Sequence, residues 1–149
     1  PPLVYGQGVK GNFASLLKLA SLPIPLPIGS IQNKRSLVSV ENLVDLIVVC
    51  LTHPKAKNQT FLVSDDDDMD ISELISRLAD AGGYKAYIFR FPLILLSISL
   101  RVLGKSAIYE RLCGSMQVNI DDTKSQLDWK PPFKIMDSLS SCWLVDTER

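Results

Sequence analysis

The stretch "KRSLVSVENLVDLIVVCL", residues 34–51, runs a short apolar strand pattern directly into a long oily helical one, and this pairing constrains the chain more than any other segment. "RSLVSV" has the composition of a short strand. Leu43, Leu46, Ile47, Cys50 and Leu51 then recur at helical spacing, with Ser39 as the N-cap and Glu41 in the first turn. Val44, Val48 and Val49 are apolar too, so this helix is expected to be buried on most sides. "QTFLVSD", residues 59–65, follows as a short continuous apolar run, the pattern of a buried strand in a parallel sheet. Strand, helix, strand in that order implies an α/β architecture, because parallel strands need a crossover and a helix supplies it.

The flanking segments fit the same class. Phe13, Leu16, Leu17 and Ala20 predict a helix over 12–22 that Pro23 stops. "PIPLPIG", residues 23–29, is too rich in proline for a central strand and reads as an extended edge segment whose backbone groups stay available. The acidic run Asp65–Asp68 reads as a solvated loop. Asp70 with Glu73 makes a capping-box-like start to a helix striped by Ile71, Leu74, Ile75 and Leu78 and closed by Gly82 and Gly83. "AYIFRFP" is a further strand candidate, and "FPLILLSISLRVLG", residues 91–104, reads as a buried helix, with a membrane-surface helix as the alternative. "SAIYERLCG" gives a short helix and "MQVNI" one last strand. A capped short helix in "DDTKSQLDWKPP" and a terminal amphipathic helix on Ile135, Met136, Leu139 and Trp143 complete a chain of a few short strands and about six helices.

Charge and chemistry narrow the functions. The 149 residues fit one domain, and sixteen cationic side chains balance sixteen acidic ones. No broad basic field is available for nucleic acid, so any anion must be recognised locally. The oily run is too short to span a bilayer. Cys50, Cys113 and Cys142 are widely spaced and sit in apolar or helical sequence, as reduced thiols of a cytoplasmic protein would. His53 precedes a proline at a helix end and lacks partners for acid–base or nucleophilic chemistry. The consecutive aspartates lack the alternating spacing of a calcium loop, and no metal spacing is visible. Gly6, Gly8 and Gly11 have the spacing of a dinucleotide fingerprint, but the acidic partner about 20 residues on is absent and Pro23 intervenes.

Five phrases in order, "PPLVYGQG", "PLPIG", "KRSLVSVENLVDLIVVCL", "FLVSD" before a capped helix and "LDWKPP" before a final one, resemble the C-terminal half of the extended short-chain dehydrogenase/reductases. More closely, they are similar to the NAD-dependent epimerase/dehydratase family that acts on nucleotide sugars in polysaccharide biosynthesis. The resemblance covers nearly all of residues 1–149 and implies the substrate-binding portion of such an enzyme, in an extended Rossmann-type fold. The chain begins at Pro1 without an initiator Met, and is expected to be the back part of a longer protein. The family's Tyr-x-x-x-Lys pair is missing, since Tyr5, Tyr84, Tyr87 and Tyr109 have no lysine four residues later. No catalytic residue is therefore expected in this chain, nor bound NAD(P), which the full-length protein would hold.

The resemblance also assigns site residues. Arg35 matches the arginine that meets the diphosphate of a UDP-sugar, a task suited to its fork of donors. Asn12 matches an asparagine facing the phosphates at a helix start, although helix capping would equally explain it. Leu26 and Pro27 match an extended segment that holds uracil through main-chain groups, and Arg111 a second diphosphate or ribose contact, with Ser115 standing where some members have aspartate. Pro2 and Leu3 would end the strand beneath the nicotinamide. Uncovered strand edges predict a homo-oligomer. The competing readings are a related dehydrogenase for a sterol-type substrate, favoured by the oily 91–104 run, and a non-catalytic binding module.

Overall fold

The computed structural model describes residues 2–104 and 106–144, without the side chains of residues 106–108 and 111. It is α/β, as expected. Its elements run β1 (Leu3–Tyr5), α1 (Asn12–Ser21), β2 (Pro25–Leu26), β3 (Leu37–Ser39), α2 (Val40–Thr52), a 3-10 turn (Pro54–Ala56), α3 (Ile71–Ala81), β4 (Tyr87–Ile88), α4 (Leu93–Val102), α5 (Ser106–Cys113), α6 (Asp121–Leu127) and α7 (Ile135–Ser141). Two parallel pairs form the sheet structure: β1 with β3, Leu3 opposite Leu37, and β2 with β4, Leu26 opposite Ile88.

The larger core gathers on α3. Ile71, Leu74, Ile75 and Leu78 lie on one stripe and are almost wholly buried between α1 and α7. Each such side chain contributes about 1.5–3 kcal/mol relative to exposure. Both helix ends follow the sequence reading: the Asp70 carboxylate accepts from Glu73 N–H at 2.8 Å, and Gly82 N–H closes onto Leu78 O. Gly82 is required for a further reason, since a Cβ there would stand 2.5 Å from the Trp143 ring, whose Nε1 donates to Leu78 O at 2.9 Å. A second core, with Val38, Leu46, Val63, Ile120, Leu127 and Trp129, joins β3 and α2 to α6.

Four expectations are corrected. Residues 59–65 run past β3 without forming a strand: Asp65 N–H reaches Leu37 O, but the Thr123 hydroxyl takes the Leu62 carbonyl at 2.6 Å, and Leu62 is half exposed. "MQVNI" forms one isolated bridge, Met116 with Arg35, because the Ser36 hydroxyl accepts the Val118 N–H where a strand partner would stand. α2 is not buried on most sides; Val44, Ile47, Val48 and Leu51 are 50–79% exposed, since only one face meets the second core. α4 is not buried either: Leu96 faces the core while Ile94, Leu95, Ile98 and Val102 face outward. The acidic run is a loop with Asp66 exposed, as expected, and it is tied to the rest of the chain. Each aspartate has its own partner, Asp65 with Tyr5, Asp66 with Lys124, Asp67 with Arg77 and Asp68 with Ser36.

Candidate anion site at Arg35

Arg35 is held from both sides by its main chain. Its N–H donates to Met69 O at 3.0 Å and its carbonyl accepts from Met69 N–H at 3.2 Å, while neighbouring Lys34 O and Ser36 N–H bond to Met116. The backbone is therefore clamped between the segments before α3 and after α5. The guanidinium Nε donates to Gly114 O at 2.9 Å. No carboxylate pairs with it among the described residues. Partial burial costs the charged form and pulls its pKa below the usual arginine value. A half-buried cation with one neutral acceptor and unused donors on its fork is prepared for an external anion.

Asn33 completes this corner and was not legible in sequence, where "QNKR" reads as a polar loop. It is 2% exposed. Its amide nitrogen donates to Leu112 O at 3.0 Å and Gly114 O at 3.1 Å, and its oxygen accepts from Ile71 N–H at 3.0 Å. One side chain thus fastens the C-terminal end of α5 and the start of α3 beside Arg35. Gly114 bonds to both Asn33 and Arg35, so these two residues and the end of α5 form one unit. Arg111 belongs to α5, which brings its backbone to this corner; its side chain lies outside the described residues.

The other predicted residues are not gathered as closely. Asn12 is the first residue of α1, and Gly11 is the cap, with no side-chain capping bond. The capping explanation for Asn12 is thereby removed, and the side chain is exposed. Leu26 is buried in β2 and its carbonyl already accepts from Phe89 N–H at 3.0 Å, which corrects the expectation of free backbone groups there. Pro27 is half-buried. Pro2 is buried and Leu3 pairs with Leu37, so both can offer little more than a packing surface to a ring. Gly6 cannot serve a pyrophosphate in the manner of a dinucleotide loop: a Cβ there would stand 2.6 Å from Val40 Cγ1, so its close approach is to Val40.

A cleft of about 600 Å3 lies next to the Arg35 segment and is lined by Lys34, Asp66, Asp67, Asp68, Gln117 and Asp121. Its acidic wall repels phosphate, so this cleft does not suit a diphosphate. No group of three or more metal-ligating side chains occurs among the described residues.

No family model matches the chain. The UDP-glucose 4-epimerase of Vibrio cholerae is 53% identical over 133 residues, 89% of this chain and 40% of its own length. Two solved structures share the fold: UDP-N-acetylglucosamine 4-epimerase from Bacillus cereus, with TM-score 0.66 and 14% identity over 96% of this chain, and UDP-glucuronic acid 4-epimerase from the same organism in complex with NAD, with TM-score 0.64 and 16% identity over 95%. The chain spans 43% and 39% of these structures, so it corresponds to well under half of each protein it matches. Identity above one half with a curated epimerase, on a fold shared with two more, shows that the chain belongs to the NAD-dependent epimerase/dehydratase family of extended short-chain dehydrogenase/reductases.

Proposed function

We propose that residues 1–149 are the C-terminal, substrate-binding portion of a cytoplasmic NAD(P)-dependent nucleotide-sugar epimerase, dehydratase or 4-ketoreductase of polysaccharide biosynthesis. Arg35 takes the diphosphate of a UDP-sugar. The observation that carries this reading is the Arg35 guanidinium, half-buried, oriented by Gly114 O and without an acid partner among the described residues. Asn12, exposed and freed from capping, and Arg111 on α5 are further phosphate or ribose contacts, and Leu26 and Pro27 lie where the base is held, with one lone pair of the Leu26 carbonyl remaining. Hydride transfer requires a held nicotinamide and a proton-transfer residue, and these belong to the rest of the protein, to which Pro2 and Leu3 contribute packing. The isolated chain is accordingly inactive.

Support for a missing neighbour comes from α2. Its outward stripe of Val44, Ile47, Val48 and Leu51 is exposed, no further strand pairs with β1 or β3 among the described residues, and Glu41 Oε2 is buried without a hydrogen-bond partner among them. A buried carboxylate oxygen normally has a partner, and the cofactor-binding part supplies it in this reading. The full-length protein, given NAD(P) and UDP-hexoses, should interconvert 4-epimers or yield a 4-keto or 4-reduced product detectable by NMR. Failure of every UDP-hexose to react or to bind would overturn the proposal.

A further inference from the structure

The outward face of α4 has a different character from that of α2. Leu93, Leu96 and Leu100 turn toward the core, while Ile94, Leu95, Ile98 and Val102 form an opposite stripe that is 52–82% exposed. Arg101 flanks that stripe at the last turn and is itself exposed. The lead-in to the helix exposes Tyr84, Tyr87 and Phe89, with the exposed cations Lys85 and Arg90 among them, and Lys85 Nζ lies 5.8 Å from the Tyr87 ring. From Ala81 to Tyr109 the sequence contains no aspartate or glutamate but four cations, Lys85, Arg90, Arg101 and Lys105. In a chain whose charges cancel overall, this segregation is pronounced.

We propose that α4 and its aromatic lead-in form a docking surface for the face of an anionic lipid bilayer. An apolar stripe bordered by Lys and Arg, with aromatic side chains beside it, suits the boundary between headgroups and acyl chains. The apolar residues enter the bilayer edge and the cations meet lipid phosphates. α4 lies on the bilayer and does not cross it, since no helix among the described residues is long and apolar enough to span. A second copy of the chain is disfavoured as the occupant, because two such surfaces face to face would bring together Lys85, Arg90 and Arg101 of each copy against Glu110, the one acidic residue that lines the cleft beside Ile98 and Arg101 among the described residues. This inference goes beyond the proposed function and does not depend on it.

The test is co-sedimentation of the full-length protein with phosphatidylcholine vesicles lacking or containing about 30% phosphatidylglycerol. Binding to the anionic vesicles should exceed binding to neutral ones at least about tenfold, and fall several-fold between about 0.1 M and 1 M salt. Ile94→Ser with Ile98→Asp should abolish it, and Arg90→Glu with Arg101→Glu should remove its salt-dependent part, both without change in melting temperature because these side chains are exposed. Ile47→Asp on α2 should leave vesicle binding unaltered in whatever fraction remains folded. Equal recovery with and without vesicles would overturn the proposal. So would undiminished vesicle binding by the Ile94→Ser/Ile98→Asp protein, or an oligomer that this variant dissolves, which would make a second copy the occupant.

Discussion

Asp65 and Arg35 are both half-buried charged residues beside β3, and the chain surrounds them in opposite ways. Asp65 receives the Tyr5 hydroxyl at 2.6 Å, the Ser39 N–H at 2.9 Å and the Asn42 amide at 2.8 Å. Asn42 in turn exchanges two hydrogen bonds with the main chain of Phe133, at 2.9 and 3.1 Å. One carboxylate thus joins β1, the start of α2 and the approach to α7. Arg35 is clamped through its backbone but satisfied, among the described residues, only by one carbonyl at its side chain. A charge saturated by its own chain is a structural tie; a charge held in place with donors to spare is, in the proposed reading, a binding group. Removing the first should cost stability, and removing the second should cost affinity.

The largest effect expected is on Asp65. Asp65→Ala leaves the Tyr5 hydroxyl, the Ser39 N–H and one of the two Asn42 amide N–H groups without their acceptor and should destabilise the full-length protein by about 3–5 kcal/mol in urea titration. A loss under about 0.5 kcal/mol would remove the contrast with Arg35. Tyr5→Phe deletes one donor and should cost about 1–2 kcal/mol. Burial, then the neighbouring Asp65, push the Tyr5 hydroxyl above the usual tyrosine range. The unfolded chain therefore loses this proton first as pH rises past about 10, so stability falls above that pH. Tyr5→Phe should flatten that alkaline decline, and an unchanged slope would show that Tyr5 does not titrate between the two states.

Smaller effects calibrate the comparison. Arg77 bridges Asp67 and Glu73, both at 2.5 Å, but all three side chains are 27–44% exposed. Arg77→Ala should cost at most about 1 kcal/mol, as surface pairs do. A loss matching that of Asp65→Ala would mean that the number of partners, and not burial, sets the cost. Arg35→Ala should change the melting temperature least of all, because its main-chain bonds survive and an unpaired, partly desolvated charge is removed.

What sequence made visible follows from range. α1, β3, α2 and α3 were legible because periodicity and caps are local: Ser39 and Asp70 cap their helices as predicted, through Asn42 and Glu73, three residues on. The Arg35 segment was legible only through resemblance. The tie made by Asp65 was missed because its partner Tyr5 lies 60 residues away, and Asn33 was missed because its bonds span 38 to 81 residues. α2 and α4 show a different limit. Their patterns are apolar on nearly every side, and such a pattern does not tell a face covered by its own chain from one covered by something else.

The central claim, that Arg35 is a diphosphate-binding group and not a structural one, is tested by calorimetric titration of the full-length protein with UDP. Arg35→Ala should weaken UDP and UDP-sugar binding alike by about 2–3 kcal/mol, with NAD affinity and melting temperature essentially unchanged, because both ligands carry the same phosphates. Arg35→Lys should recover only part of that loss, since one point charge replaces a two-pronged fork. Unaltered UDP affinity in a folded Arg35→Ala protein would contradict the account.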